Sequence, residues 1–268
     1  MLRAYGVTDK GRVRATNEDY FVIDESLGLA VAADGMGGHN AGEVAARLAV
    51  DAIADFVGDV LVRRGGRGPG VDETWPFGLD PTLSEGGNLL RTAIHLANVQ
   101  ILEMASTSDA YAGMGTTVVA ALVVGNRISI GHVGDSRAYR FAAAAGGDLV
   151  VRLRQLTHDD SWVATVLAQN PETDPATLRH HPMRNALTNV VGARPRIDVH
   201  VLEETLSGGE RFLLTTDGVH GVLDQEQLEG VVRGSTAAGA MPAALVRAAL
   251  ARGSRDNCTA IVVEYIPG

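Results

Sequence analysis

A single cysteine, Cys258, stands in 268 residues, which excludes an internal disulfide and suits a reducing compartment. Aromatic residues make up only 4%, too few for the base-stacking platforms used by single-strand nucleic-acid binders. Positive charge is scarce as well. Against 32 Asp and Glu there are 23 Lys and Arg, a net charge of −9, and that argues against nonspecific nucleic-acid binding. No basic-then-apolar leader pattern opens the chain, and no apolar run is long enough to span a bilayer. A soluble, cytoplasmic protein without direct membrane insertion is therefore expected. The Lys and Ser/Thr of a phosphate-binding P-loop are also missing after the glycine-rich turn at Gly35 to Gly38.

What the chain does have is aspartate at the ends of apolar runs. Asp34 follows Leu29 to Ala33, Asp135 follows Ile128 to Gly134, and Asp217 follows Phe212 to Thr216. A fourth, Asp256, comes just before the run Ala260 to Val263. Carboxylates at the ends of buried strands press negative charge against a low-dielectric core, which is unfavourable without a cation nearby. Hard divalent ions prefer oxygen ligands, so a site for Mg²⁺ or Mn²⁺ is the leading expectation. Such a cluster can hold two ions, which lower the pKa of a water between them and polarise phosphoryl oxygens for direct in-line attack.

Hydrophobic residues make up 46%, and no composition break divides them, so residues 1–268 are expected to form one domain. Short β-branched runs predict strands at Leu2–Thr8, Tyr20–Asp24, Leu29–Ala33, Thr116–Val124, Arg127–Val133, Ser136–Phe141 and Leu149–Leu156, and again at Ile197–Leu202, Arg211–Thr215 and Thr259–Tyr265. Val124 to Arg127 and Val133 to Ser136 both read as tight hairpin turns, which implies antiparallel pairing. Asn40 reads as the N-cap of a helix whose apolar stripe is Val44, Leu48, Ala52, Phe56 and Val60. Leu90, Ile94, Ala97 and Ile101 predict a second helix, and Pro242 to Leu250, closed by Gly253, a third. Helices of this kind beside two antiparallel sheets make a layered α+β sandwich. A Gly-rich loop over 63–87 is expected to be pinned by Trp75 and Phe77, and 157–192 to be a helical insertion over one edge.

Arg14 lies in Arg14-Ala15-Thr16-Asn17-Glu18-Asp19, where a guanidinium can hold a phosphate bidentately and the two acids can bind waters around the ions. With Thr8 to Gly11, Ala33 to His39, Gly113 to Thr117, Gly131 to Tyr139, Leu156 to Ser161, Leu213 to Gly218 and Asp256 to Thr259, the chain resembles the bacterial metal-dependent protein phosphatases, the PPM or type 2C serine/threonine family. The resemblance runs in order from near residue 8 to 263.

It implies a four-layer α-β-β-α sandwich with two core Mn²⁺ or Mg²⁺ ions and a weaker third. Asp34 would bridge the two ions, the Gly35 carbonyl would bind one, and Asp217 and Asp256 the other. Asp135 with Asp217 would form the third site. Arg14 would take the substrate phosphate, and Glu18 and Asp19 would contact metal-bound waters. Residues 157–192 would be the flap beside the cleft. The implied activity is hydrolysis of phosphoserine and phosphothreonine in proteins, Ser/Thr kinases among them, by a monomer.

Met36 stands where many eukaryotic relatives carry a histidine, leaving His39 as either a loop-fixing residue or a proton donor. His158, His180 and His181 read as surface residues, His132 as a hydrogen-bonded core histidine, and Cys258 as a small core residue. Two rival readings are a catalytically inactive relative that binds phosphoproteins or kinases, and a nucleotide phosphodiesterase.

Overall fold

Alternation within the strands decides the layering. In β3 (Leu29–Met36), Leu29, Val31 and Ala33 enter one buried cluster while Ala30 and Ala32 enter another. In β11 (Cys258–Tyr265), Ala260 and Val262 are separated from Ile261 and Val263 in the same way. Successive side chains leave a strand on opposite faces, so strands apolar on both faces must be covered on both. The structure, a computed structural model, describes residues 1–38, 41–63, 75–142, 152–178, 180–235 and 237–267.

One sheet has the order β1 (Leu2–Asp9), β11, β10 (Glu210–Thr215), β7 (Arg137–Ala142) and β8 (Arg154–Gln155). The other runs β2 (Asp19–Asp24), β3, β5 (Val118–Val124), β6 (Arg127–Val133) and β9 (His200–Thr205), with the short β4 (Gly115–Thr116) added to β3. The strand pairings are antiparallel. Between the sheets lies a core that includes Ile130, Phe212, Leu214 and Ile261. Helices α1 (Ala41–Gly58) and α2 (Glu85–Ala105) cover the second sheet. On the first sheet lie α5 (Asp217–His220), α6 (Gln225–Gly234) and α7 (Met241–Ala251). The expected four-layer sandwich is observed.

Several local expectations need correction. Val133 to Ser136 is not a hairpin: β6 pairs with β5 and β9, whereas β7 pairs with β10 and β8. The turn, with Gly134 at φ 96°, instead carries the chain from one sheet to the other. The predicted strand at 116–124 is two strands interrupted at Thr117, and the one at 197–202 begins pairing only at His200. Of the predicted strand at 149–156, Arg154–Gln155 pairs, while 149–151 lie outside the described residues. On α1 the fully buried face is Ala45, Ala49, Ile53 and Val57, with Val44, Leu48 and Phe56 only partly buried beside it. Ala52 and Val60 of the expected stripe are buried too, so that stripe is the edge of the apolar face and the centre lies one residue further on, on a parallel i+4 row with Ala46 and Val50 buried beyond it. Alanine also lets α1 lie close to β3. Asn40 and His39 lie outside the described residues, as do 64–74 of the Gly-rich loop.

Other expectations hold. Gly125, at φ 63°, turns the β5–β6 hairpin, in which Val124 pairs with Arg127. Leu90, Ile94, Ala97 and Ile101 are buried on α2. Pro242 sits in the first turn of α7. Trp75 packs on the α1–α2 cluster and Phe77 stacks on His95 at 4.8 Å. The 157–192 segment carries α3 (Trp162–Gln169) and α4 (Pro175–Leu178).

Glu210 closes the β9–β10 connection. Burial alone would raise its pKa, but the Ser207 hydroxyl and the Ser207 and Gly208 amides, donating at 2.7, 3.0 and 2.7 Å, pull it down to about 2. A depressed carboxylate contributes stability above its unfolded pKa and loses it as pH falls toward the folded value. Glu210→Gln is therefore expected to lower stability at pH 7 by about 1–2 kcal/mol. Urea unfolding at stepped pH should show the deficit narrowing from about pH 4.5 toward pH 2.

Candidate metal centre

Five of the acidic residues singled out in the sequence sit at one end of the sandwich because the strands arrive and leave there. β3 delivers Asp34, the β6–β7 crossing delivers Asp135, and the turn after β10 delivers Asp217. Asp256 precedes β11, and Asp19 opens β2 directly opposite Asp34. A cavity of ≈ 370 Å³ is lined by Arg14, Glu18, Asp34, Gly35, Asp135, Asp217 and Asp256 together. Asn185, Leu187 and Val190 of the 157–192 segment form part of its wall. Asp19 does not line it.

Asp19 lies behind, 5% exposed, and its Oδ2 accepts hydrogen bonds from Thr216 and Thr259 at 2.8 and 2.6 Å. Those bonds tie β2 of one sheet to β10 and β11 of the other, directly beneath Asp34 and Asp217. Thr117 clamps Asp34 from the side, its amide donating to the Asp34 carbonyl and its hydroxyl accepting from the Asp34 amide. Asn257 is the third hub. It accepts from the Glu18 amide at 2.8 Å and donates to the Lys10 and Thr16 carbonyls at 2.8 and 3.0 Å, fixing the loop that carries Arg14.

Glycine follows two of these aspartates for a steric reason. A Cβ on Gly35 would meet the Gly42 carbonyl oxygen at 1.9 Å, and one on Gly218 would meet that of Asn257 at 1.8 Å. Close backbone packing requires glycine at both positions.

The electrostatics are those of crowded acids. Burial raises Asp34 well above the carboxylate range, and Asp19, Asp217, Asp135 and Asp256 add repulsion. Burial and then the Asp217 charge push Asp135 up to about 7. Asp217 is raised by burial and by Asp256, though a hydrogen bond with Asp34 opposes this. Asp19 and Glu18 are also raised, each chiefly by burial. Asp19 Oδ1 and Asp217 Oδ1 are buried with no hydrogen-bond donor.

The donor chemistry fits a hard divalent cation: oxygen ligands, excess negative charge, and orphaned carboxylate oxygens. As placed, no group of three His, Cys, Asp or Glu side chains among the described residues is gathered to hold an ion. Asp256 instead takes an ion pair from Arg14 at 2.7 Å, and Arg14 lies 3.8 Å from Glu18. Asp256 thus already carries one counter-charge, on its Oδ2.

The family model for protein phosphatase 2C matches residues 10–251. The chain belongs to the protein phosphatase 2C family. Among its relatives, the serine/threonine phosphatase stp of Listeria welshimeri is 29% identical over 260 residues, covering 96% of this chain and 93% of the relative. The protein phosphatase PstP of Mycobacterium tuberculosis is 32% identical over 275 residues, covering 99% of this chain but 45% of the longer relative. A crystal structure of a PstP catalytic domain in complex with two manganese ions superposes with a TM-score of 0.76 at 28% identity, covering 98% and 97% of the two chains.

Sequence reasoning missed the hydrogen-bonding roles of Thr117, Thr216, Thr259 and Asn257, although all four sit inside motifs it singled out. Paired threonines at the strand ends (Thr116-Thr117, Thr215-Thr216) were the available signal. His132 is buried as expected, but its Nδ1 has no partner; it stacks on His200 at 4.8 Å, and burial lowers its pKa to about 4. Cys258 is a core residue held by the Gly218 carbonyl and Ser254, with burial raising its thiol to about 11.

Asn257→Ala would leave the Glu18 amide and two carbonyls without their partner. The expected loss is about 2–4 kcal/mol of unfolding free energy by denaturant titration, and Asn257→Asp, which turns a carboxylate oxygen on two carbonyls beside Asp256, should lose at least as much.

Proposed function

We propose that this chain is a single-domain, metal-dependent protein serine/threonine phosphatase whose chemistry is carried by the 370 Å³ acidic cavity. The observation behind this reading is the meeting of Asp34, Asp135, Asp217 and Asp256, from four separate connections, with Arg14 on that cavity. Asp34, Asp217, Asp256 and the Gly35 carbonyl would hold two Mn²⁺ or Mg²⁺ ions, and Asp135 with Asp217 a weaker third. When bound, such ions supply Lewis acidity to phosphoryl oxygens and lower the pKa of water in the site.

The remaining work falls to the chain. Arg14 turns from Asp256 to the substrate phosphate, where its planar fork matches two oxygens. Glu18, beside Arg14, and Asp19, under Asp34, orient waters and keep the ligating carboxylates in register. Leu187 and Val190 limit solvent on one side. Cys258 takes no nucleophilic part, because its thiol faces the Gly218 carbonyl rather than the cavity. With water as the attacking group, its oxygen bonds to phosphorus as the bond from phosphorus to the serine or threonine oxygen breaks, and that oxygen leaves as the alcohol with a proton supplied by solvent.

On this reading the enzyme is a cytoplasmic, monomeric signalling component that acts on phosphoproteins, Ser/Thr kinases included. Its single buried free cysteine and net charge of −9 suit that setting. No helix among the described residues is long and apolar enough to cross a membrane.

Turnover of p-nitrophenyl phosphate should require Mn²⁺ or Mg²⁺ and stop with chelator; metal-independent turnover contradicts the reading. Phosphoserine and phosphothreonine peptides should be hydrolysed in preference to phosphotyrosine peptides. Asp217→Asn is expected to reduce turnover to background with the fold intact, and Asp135→Ala to slow it by about 10- to 100-fold.

A further inference from the structure

A second cavity, of ≈ 330 Å³, opens beside the first and shares Asp135, Asn185 and Asp217 with it. A phosphoresidue held at the carboxylates therefore has a neighbouring space within reach of the side chains next to it in a peptide. Its far wall is α3, through Val163, Ala164 and Leu167. Six of the eight residues of α3 are apolar, yet none is fully buried. The helix keeps its apolar surface available because it is held from behind. Ser161 caps it and bridges Leu187, the Trp162 amide donates to the Ala186 carbonyl at 2.8 Å, and the Trp162 ring stacks on His181 at 4.1 Å.

On the opposite side of this cavity one acid is already paired. Arg137 clasps Asp159 bidentately, Nε to Oδ1 at 2.8 Å and Nη2 to Oδ2 at 2.6 Å. Arg184 stands in the lining as the one other cation. An acidic substrate side chain, drawn to Arg184, is thus the rival occupant. An apolar side chain covers Val163, Ala164 and Leu167, while Arg184 is exposed and keeps its hydration.

We infer that this second cavity is a specificity subsite that takes an apolar side chain lying within two residues of the phosphorylated serine or threonine, with Val163 and Leu167 as its selecting wall. The inference rests on the phosphatase reading above and adds to it a substrate sequence preference.

The test is kcat/KM on phosphothreonine peptides carrying Leu, Ala or Glu in turn at each of the two positions before and after the phosphoresidue. Leu should exceed Ala by about tenfold at one of these positions, with Glu no better than Ala. The ratio, taken within each enzyme, should fall toward one in Leu167→Ser and in the near-isosteric Val163→Thr. Equal turnover of Leu and Ala peptides, a preference for Glu, or a Leu preference untouched by either substitution overturns the subsite. Absence of all phosphopeptide turnover, with metal present, contradicts the phosphatase reading instead.

Discussion

Repulsion among carboxylates driven to one end of a dry sandwich is the constraint around which this structure is arranged. Asp34, Asp135 and Asp217 are all raised in pKa first by burial, and each feels at least one of its acidic neighbours. A fold that gathers such groups without a counter-charge loses stability, because neither ionised nor shared-proton states are well solvated there. On the proposed reading, divalent cations would resolve that conflict and supply Lewis acidity at the same point, so the destabilising cluster and the reactive centre would be one feature.

The scaffold holds this feature with hydrogen bonds that cross between the sheets. Asp19 on β2 is bound by Thr216 and Thr259, which flank β10 and open β11, so the sheets cannot separate at this end without exposing an acid. Asn257 does the same for the loop carrying Arg14. Glycine at 35 and 218 lets backbone meet backbone behind the carboxylates, which narrows the cavity from the rear. The arginine, paired to Asp256, and the flap wall then close the sides.

Much of this was legible in the sequence. Asp34, Asp135, Asp217 and Asp256 announce themselves because apolar strand patterns stop or start beside them, and the layered sandwich follows from two-faced strands and amphipathic helices. Pro242 and Gly253 bracket α7 through local backbone chemistry alone. What stayed hidden depends on distant partners. Gly134-Asp135 has the composition of a hairpin turn, and only the pairing of β7 with β10 shows that the chain changes sheet there. The buried face of α1 is alanine, which signals helix but not which side is packed. Thr259 and Asp19 are 240 positions apart, and nothing local marks them as partners.

The most direct measurement is calorimetric titration of Mn²⁺ into chelator-treated protein, repeated in buffers of different ionisation enthalpy. Acids whose protons are retained by burial must release them to bind a cation, so metal affinity and proton release are linked. The account predicts two tightly bound ions per chain, with net proton release that is larger at pH 6 than at pH 8. Absence of Mn²⁺ binding, or binding unchanged when Asp34 and Asp217 are replaced by Asn, would contradict it.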